Sequence, residues 1–497
     1  MLKDFVYKFS GNILSGLATL CIEFLVPKGL GPELYGIVSY LREIFTQFFA
    51  FLDFGFSNAV SVYSAQRPSD KGLFYSFLLI PLTFFVITGI LLCMSELTPL
   101  GEALFMEIPF RWILLSSLFA FLVWLSQSAS KMLDAYHLTV KLEITRTLVR
   151  SLSVIILIAL YLIHHEHWSI ELVYYYFIGT WALLSASYLT HIFIYWRNLQ
   201  KDTICTQPKS HYIRELRGYT SPLFLYTLVV CAGLIFDRWF LQKNYGAIEQ
   251  SKFALAMVFN NACLLFIAAA TPLLTREFSK ASKSNLEEGT KQLLSVALIP
   301  LFSIVSAACV FISFEAGSIV YFFMGAQFQA SIPVVSLAVY YSPLQVLGQV
   351  LAALFYARSK TKVIMAAGII STVIGVFMSV LLIGTEQSTW TLNLGAKGLA
   401  WKFIITNLIS IGVCAAYAYQ ALGITVIKTL LTCLISISYY YAIMHFLNYS
   451  LNPLSLSLES IFCLKIALYL IGGLLQGAVL WKVLIKNLSF LHKGITR

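Results

Sequence analysis

Fourteen long apolar runs, separated by short charged or turn-rich breaks, limit the fold of this chain more than any other feature. A helix needs about 20 apolar residues to cross the hydrocarbon core of a bilayer. Hydrophobic residues make up 59% of the chain and charged residues 11%, whereas soluble proteins are roughly 45 to 50% apolar. The sequence therefore predicts an all-α polytopic membrane protein with about 14 transmembrane helices. The predicted spans are residues 10–30, 36–63, 72–95, 111–133, 142–163, 170–196, 218–241, 251–275, 292–314, 333–356, 363–384, 398–420, 429–447 and 460–484.

Basic residues predict the orientation of the chain in the membrane. Most of the 34 Lys and Arg residues fall in connections on the same side as the N-terminus. The connections on the other side hold only Lys28, Arg111, Lys243 and Lys397. Because cytoplasmic loops carry the excess of basic residues, both termini are predicted to be cytoplasmic. The net charge of +11 then reflects topology and anionic lipid at the inner leaflet, so no nucleic-acid partner is expected.

Cysteine and histidine patterns indicate no metal site or cofactor. The nine cysteines are scattered, mostly inside spans, and form no C-x-x-C pair. Adjacent histidines at His164, His165 and His167 lie beside Glu166 at the end of the fifth span. Neighbouring residues in such a tight loop cannot all converge on one ion, so the sequence predicts neither a disulfide framework nor a bound metal.

Charged residues in the first two spans predict a polar site inside the membrane. Glu23 lies in the first span, and Arg42, Glu43 and Asp53 lie in the second. Each charge at the centre of a spanning helix costs roughly 2.5 to 3.5 kcal/mol, so these groups must face one another or water. We interpret them as the lining of a polar cavity. The alternative is that Arg42 and Glu43 lie near the interface, extend out of the membrane or pair locally, and contribute only packing.

A basic helix face occurs at the cytoplasmic connection between spans four and five. Glu143, Arg146 and Arg150 are spaced by three and four residues and therefore share one face. The two arginines are positioned to receive an anionic headgroup from the inner leaflet. The alternative is a simple positive anchor.

The chain is expected to have three parts. The polar connection at 197–217 separates an N-terminal six-helix lobe (1–200) from a C-terminal six-helix lobe (201–425), and 426–497 holds two additional helices and a cytoplasmic tail. Gly31-Pro32-Glu33-Leu34-Tyr35-Gly36 resembles Gly246-Ala247-Ile248-Glu249-Gln250-Ser251 later in the chain. Six helices per repeat fit this period, which predicts two pseudo-symmetric bundles.

Further candidates for a polar site lie in the later spans. Asp237 and Arg238 end the seventh span, and Lys402 shares a face of the twelfth span with Thr406. Tyr341, Gln345 and Gln349 share one side of the tenth span. Tyrosine and amide side chains suit sugar hydroxyls, although hydrogen bonding between helices explains such residues equally well.

Three stretches make the chain resemble a known family. They are Ser10-Gly11-Asn12 followed by 27–36, the segment Leu52-Asp53-Phe54-Gly55-Phe56-Ser57-Asn58-Ala59, and Ser221-Pro222 followed by Asp237-Arg238. The sequence resembles the polysaccharide-transporter family of Wzx-type O-antigen flippases, within the multidrug/oligosaccharidyl-lipid/polysaccharide (MOP) superfamily. The resemblance implies two six-helix bundles around a V-shaped cavity, with two extra C-terminal helices. It also implies transfer of undecaprenyl-pyrophosphate-linked oligosaccharide from the inner to the outer leaflet of the bacterial inner membrane.

A flippase is therefore the first expectation. The predicted substrate-binding cations are Arg42, Arg238 and Lys402, with Arg146 and Arg150 at the entrance, because guanidinium and ammonium groups suit a pyrophosphate. The predicted partners are the lipid-linked oligosaccharide, membrane lipid, a polysaccharide polymerase and a chain-length regulator. The chain departs from a purely basic site, since Glu43 adjoins Arg42 and Asp237 adjoins Arg238.

Two alternatives remain open. An ion-coupled multidrug or cation antiporter of the same superfamily requires an acidic cavity, and Glu23, Asp53 and Asp237 are suitable. The same carboxylates are the predicted carriers of a coupling H⁺ or Na⁺ in a flippase. A membrane polysaccharide polymerase or ligase is less favoured, because the external loops are short and carry no convergent acid/base set.

Overall fold

The computed structural model describes residues 2–68, 70–164, 168–199, 209–265, 267, 270–271, 274–275, 277–279, 287–358, 360–385, 390–422, 427–451 and 457–495. These residues form helices connected by short turns, and no β-strand occurs among them, which confirms the all-α prediction. Eleven of the described helices are long and apolar enough to cross a membrane, or twelve if one bent pair counts as a span. The chain is thus a multi-pass membrane protein.

The chain divides into two compact units, Met1–Ser251 and Lys252–Arg497. The lobe limits predicted at 1–200, 201–425 and 426–497 stay a prediction. The first unit contains α1 (Leu2–Asp53), α2 (Phe56–Gln66), α3 (Lys71–Glu96), α4 (Pro99–Phe105), α5 (Phe110–Ala135), α6 (Thr139–His164), α7 (Ile170–Leu199) and most of α8 (Lys209–Cys263).

The second unit contains the end of α8 and the remaining helices. These are α9 (Glu287–Phe314), α10 (Ala316–Met324), a 3-10 segment (Ala326–Ser331), α11 (Ile332–Ala338), α12 (Tyr341–Ala357), α13 (Thr361–Ile383), α14 (Ala396–Leu422), α15 (Ile427–Leu451) and α16 (Leu458–Ile495). Among these, α13 packs extensively on α14, and α9 on α15. Lys465 on α16 and Tyr440 on α15 are both buried in this unit.

Helix α1 reverses direction at Gly31, where the backbone adopts φ 77° and ψ 170°. A straight helix would separate residues 23 and 42 by about 28 Å, yet Glu23 Oε1 and Arg42 Nη1 are 2.8 Å apart. The positive φ favours glycine because it has no Cβ. The apolar part of α1, the 40 residues Leu14–Asp53, therefore forms two antiparallel helical segments. This agrees with the predicted spans 10–30 and 36–63.

Helix α8 repeats this arrangement at Gly246, with φ 75° and ψ −171°. Hydrogen bonds join Arg238 and Gln250, twelve residues apart. The two glycines have nearly the same backbone conformation, so the repeat expected from sequence at 31–36 and 246–251 is present in the structure. With both reversals and the bent pair taken into account, the helices are consistent with fourteen spans.

Three details differ from the sequence prediction. The span predicted at 36–63 is interrupted at Phe54 and Gly55, which both have positive φ, and α2 begins after them. The span predicted at 333–356 is bent by 40° between the segment Ala326–Ala338 and α12. Predicted loops at 96–110 and 315–332 contain short helices, α4 and α10, because apolar segments next to a membrane satisfy their backbone hydrogen bonds internally.

Candidate functional site

The first unit contains a group of charged residues that we call the ionic cluster: Glu23, Arg42, Glu43, Asp237 and Arg238. Arg42 donates from Nη1 to Glu23 Oε1 at 2.8 Å and from Nη2 to Glu23 Oε2 at 3.4 Å. The side chains of Glu23 and Arg42 are 21% and 26% exposed. This two-point contact is the geometry that a guanidinium prefers with a carboxylate.

The glycine reversals bring the cluster together. Gly31 folds the segment carrying Arg42 back onto the segment carrying Glu23. Gly246 does the same for Arg238, whose Nη1 donates to Gln250 Oε1 at 3.2 Å, while Gln250 Nε2 donates to the Arg238 carbonyl oxygen. Gln250 is fully buried, so this contact fixes the Arg238 side chain firmly.

The charges of the cluster act on one another. Arg238 is attracted by the carboxylates of Glu43 and Asp237 and repelled by Arg42. Glu43 also accepts a hydrogen bond from Gln47 Nε2 at 2.8 Å. Three carboxylates and two guanidinium groups thus share a largely buried site, in which electrostatic interactions are stronger than in water.

The cluster follows the internal repeat. Glu23 and Arg238 each lie eight positions before the reversing glycine, and Tyr35 and Gln250 each lie four positions after it. Equivalent positions therefore carry opposite charges. The sequence prediction that Asp237 and Arg238 end their span was wrong, because the helix continues to Gly246.

The two reversals also touch each other. A Cβ atom built on Gly36 would lie 1.8 Å from the Ala247 carbonyl oxygen and 2.6 Å from its carbonyl carbon. The backbones of the two repeats therefore meet at a point where no side chain fits.

Arg146 and Arg150, predicted at the entrance, both lie on α6. Arg146 forms an ion pair with Glu143, whose side chain is buried against Gly11. The Arg150 guanidinium lies 4.5 Å from the centre of the Trp181 ring and interacts with the charges of Arg146 and Glu23. Tyr176 and Tyr188 of α7 act on Arg150 more strongly than Arg146 or Glu23 does, so its main surroundings are on α7 and its interaction with the ionic cluster is weak.

Asp53 has a different environment from the ionic cluster. Its Oδ1 accepts from the Ser57 backbone N–H at 3.2 Å and from Trp124 Nε1 at 3.0 Å, and its Oδ2 accepts from Ser57 Oγ at 2.9 Å. Lys131 Nζ donates to the same Ser57 Oγ at 2.9 Å. This carboxylate therefore caps α2 after the turn at Gly55. Its predicted role in ion coupling stays a prediction.

Lys402 belongs to the second unit and is 6% exposed. Its stem packs against Gly375, and its Nζ lies 4.5 Å from the centre of the Phe403 ring. The Phe403 ring also contacts Tyr341, which receives a hydrogen bond from Gln345. The polar side of the tenth span and Lys402 are therefore joined through one aromatic ring.

Sequence reasoning missed three charged or polar contacts. Lys131 and Trp124 complete the Asp53 network, and Lys465 Nζ contacts Glu315 Oε1 at 2.8 Å. The last two side chains are 7% and 6% exposed. Lys465 was visible in the sequence as an isolated charge in an apolar span, which is the signal that a buried partner exists.

Metal ligands were not expected from sequence. No group of three His, Cys, Asp or Glu side chains able to hold a metal occurs within the described ranges, and the eight cysteines in them are free thiols. His165, Glu166, His167 and Cys205 lie outside the described residues.

Comparison with known proteins identifies relatives of this architecture. A family model described as "Polysaccharide biosynthesis protein" matches residues 1–271. No curated protein sequence matches the chain significantly.

Solved structures show the same fold. A lipid II flippase, MurJ, in an inward closed conformation is 15% identical with a TM-score of 0.70, and the match covers 98% of this chain and 100% of that one. An inward-facing multidrug resistance MATE family transporter of the MOP superfamily is 16% identical with a TM-score of 0.59, covering 88% and 98%. A MOP superfamily transporter from Pyrococcus furiosus, described as having a binding pocket of reverse polarity, is 16% identical with a TM-score of 0.54, covering 88% and 96%. The chain therefore shares the fold of these transporters.

Proposed function

Because the chain belongs to the polysaccharide biosynthesis protein family, we propose that it is a flippase for undecaprenyl-pyrophosphate-linked oligosaccharide. The substrate would be an O-antigen or related repeat unit, moved across the bacterial inner membrane by alternating access. The observation that carries this proposal is the ionic cluster, in which Arg42 and Arg238 lie in one largely buried site inside a fold shared with a lipid II flippase.

The arginines suit the substrate headgroup. A pyrophosphate diester carries negative charge on two phosphoryl groups, and guanidinium groups bind such oxygens through paired hydrogen bonds. In the proposed cycle the headgroup replaces Glu23 at Arg42, and it replaces Glu43 and Asp237 at Arg238. The carboxylates hold the arginines in place before the substrate arrives, so less side-chain ordering is needed when it binds.

The same carboxylates provide a means of energy coupling. A carboxylate that leaves Arg42 is stabilised by taking up H⁺ or Na⁺, so Glu23 is our first candidate for the coupling residue. Asp237 is the second candidate, because its charge acts on Arg238. Binding of the anionic headgroup and of the coupling cation would then be mutually favourable.

Arg150 and Arg146 would guide the headgroup toward the cluster. Arg150 interacts electrostatically with Glu23, and its guanidinium is held against Trp181. Lys402 is a further proposed substrate contact. We place both termini in the cytoplasm and the products at the outer leaflet, where a polymerase and a chain-length regulator would use them. In this proposal the protein transports its substrate and does not change it chemically.

A cation antiporter is the second candidate, because carboxylates outnumber guanidinium groups three to two in the cluster. If the arginines serve only to neutralise Glu23 and Asp237, protonation of the remaining carboxylate would release a bound organic cation. This function would resemble that of a multidrug transporter of the same superfamily.

Deletion of the gene in a polysaccharide-producing host distinguishes these functions. We expect the deletion strain to accumulate lipid-linked oligosaccharide on the cytoplasmic leaflet, where externally added glycan-modifying enzymes cannot reach it. The wild-type gene should restore export, and Arg42→Ala or Arg238→Ala should not do so at equal protein levels. Normal export in the deletion strain, together with increased sensitivity to organic cations, would instead support the antiporter.

A further inference from the structure

An apolar cavity of about 360 Å³ lies in the first unit, separate from the ionic cluster. Tyr40, Ile44 and Phe48 line it from α1, and residues of α3 and α4 form most of the remainder. Ile235 of α8 completes the wall. None of the lining side chains is charged.

Four hydroxyl groups line this cavity. Three of them already donate to a backbone carbonyl oxygen: Tyr40 to Leu104, Thr88 to Phe84, and Ser95 to Leu92. The fourth belongs to Thr98, and the other lining residues are apolar. A cavity lined by apolar groups stays dry and accepts hydrocarbon, so the occupant must be apolar.

The mouth of the cavity lies on a surface that faces lipid. Leu91, Met94 and Leu104 line it and are 45%, 55% and 40% exposed. Other exposed residues of α3 are also large and apolar, including Leu82 and Ile90. In a membrane-spanning helix such a surface contacts acyl chains, and the cavity therefore opens toward the bilayer.

Helix α4 closes one end of the cavity. Tyr40 donates to the Leu104 carbonyl oxygen, and Trp239 Nε1 donates to the Ala103 carbonyl oxygen at 2.8 Å. A Cβ atom on Gly101 would lie 2.0 Å from the Ser95 carbonyl oxygen, so α4 is pressed against the end of α3. These contacts give the cavity a fixed end wall.

We propose that this cavity binds one acyl chain of a bilayer phospholipid. An apolar cavity of about 150 Å³ holds benzene, so this one has room for roughly a dozen carbon atoms. We assign the cavity to a phospholipid because no lining residue is charged. An isoprenoid diphosphate would bring a headgroup that needs cations. The surrounding bilayer also supplies acyl chains in large excess, and occupancy follows ligand concentration.

The bound chain packs between α1, α3 and α8, and it supports the segments that carry Arg42 and Arg238. Chain length and unsaturation in the membrane are therefore expected to alter the stability of the first unit. This inference does not depend on the transported substrate.

Photocrosslinking tests the site directly. The full-length protein is reconstituted in nanodiscs containing a phosphatidylcholine with a diazirine in one acyl chain, and adducts are mapped by peptide mass spectrometry. Labelling at Leu91 should exceed labelling at Ile155, a residue of α6 that is more exposed (64% against 45%), by about fivefold or more, because a bound chain stays at the site.

Variants separate the cavity from general lipid contact. Ser95→Phe fills the cavity and should reduce labelling at Leu91 to the level at Ile155. Ser95→Leu adds a smaller side chain and should reduce this labelling in part. It replaces Ser95→Phe in the test where the phenylalanine variant does not fold. The control Ser187→Phe changes a partly exposed serine of α7, which also bonds to its own helix, and should have no effect on labelling at Leu91. Thr88→Val keeps the shape of the cavity and should retain labelling at Leu91.

Equal labelling at Leu91 and Ile155 in the wild type would overturn the proposal. So would loss of labelling when a small fraction of undecaprenyl phosphate is added, since that would identify an isoprenoid site.

Discussion

Glu23 and Arg42 form a two-point ion pair across nineteen residues of chain, with Nη1 2.8 Å from Oε1 and Nη2 3.4 Å from Oε2. The pair exists because Gly31 reverses the helix between them. In the second repeat Arg238, at the position equivalent to Glu23, contacts Gln250 across Gly246. The same backbone device thus assembles both halves of the ionic cluster.

Variants of the Glu23 and Arg42 pair should distinguish its contribution to stability from its contribution to transport. Glu23→Gln or Arg42→Gln alone leaves a charge without its main partner and should lower the free energy of unfolding by about 1 to 3 kcal/mol. The double variant should regain most of this stability, because neither charge remains. Thermal unfolding in detergent measures the stability effect. If Arg42 binds substrate, the stable double variant should still fail to export polysaccharide; full export by it would mean that the pair is only structural.

Gly36 is expected to tolerate no side chain. Gly36→Ala places a methyl group 1.8 Å from the Ala247 carbonyl oxygen, so the two reversals must move apart, and we expect a clear loss of thermal stability and of transport. Gly179→Ala on α7 is the control, because nothing lies within 4 Å of its added Cβ. That change should be neutral or stabilise the helix by up to about 1 kcal/mol. Equal melting temperatures for the two variants would show that the reversals separate without cost.

Variants of Asp53 distinguish a role in capping α2 from a role in ion coupling. Asp53→Asn weakens the bonds from Ser57 and Trp124 and should lower stability by about 1 to 3 kcal/mol. Ser57→Ala should have a smaller effect of the same kind. We expect gradient-driven transport per folded molecule to survive both changes in proteoliposomes. Loss of gradient dependence in a normally stable Asp53→Asn protein would instead make Asp53 the coupling residue.

The buried pair of Glu315 and Lys465 should hold α16 in the second unit. Lys465→Met leaves a buried carboxylate unpaired and should lower the free energy of unfolding by about 3 to 5 kcal/mol. Adding Glu315→Gln should restore most of that loss. Glu459→Gln, an exposed acidic change on α16, should have little effect. Thermal unfolding distinguishes the variants, and an unchanged melting temperature for Lys465→Met would contradict a structural role for the pair.

The sequence predicted the helices and the repeat because both depend on local patterns. Apolar runs locate spans, and the similar glycine-containing segments 31–36 and 246–251 each separate two adjacent runs. The charges in the first two spans implied that these groups face one another or water, since an unpaired charge in a membrane is unfavourable. Which of them form pairs did not follow from the sequence.

Contacts between distant segments could not be predicted in this way. Periodicity assigns a residue to a helix face, but it does not identify the helix that packs there. Lys465 and Glu315 are 150 residues apart, and the action of Glu43 on Arg238 depends on how α1 packs against α8. The interruption at Phe54 and Gly55 was missed because an apolar run continues through it. The turn is stabilised by the Phe54 backbone N–H, which donates to the Phe51 carbonyl oxygen, and by the Asp53 side chain.

The central claim is that Arg42 and Arg238 together bind a lipid pyrophosphate. Its most direct test is the affinity of the purified protein for undecaprenyl pyrophosphate, measured by microscale thermophoresis or calorimetry in one detergent. Arg42→Gln and Arg238→Gln should each weaken binding by about tenfold or more, because a charge-assisted hydrogen bond contributes roughly 1.5 to 3 kcal/mol. Arg111→Gln, which changes an exposed arginine bonded to Tyr175, should bind like the wild type. Unchanged affinity in both cluster variants would contradict the account and leave the arginines as partners of the carboxylates alone.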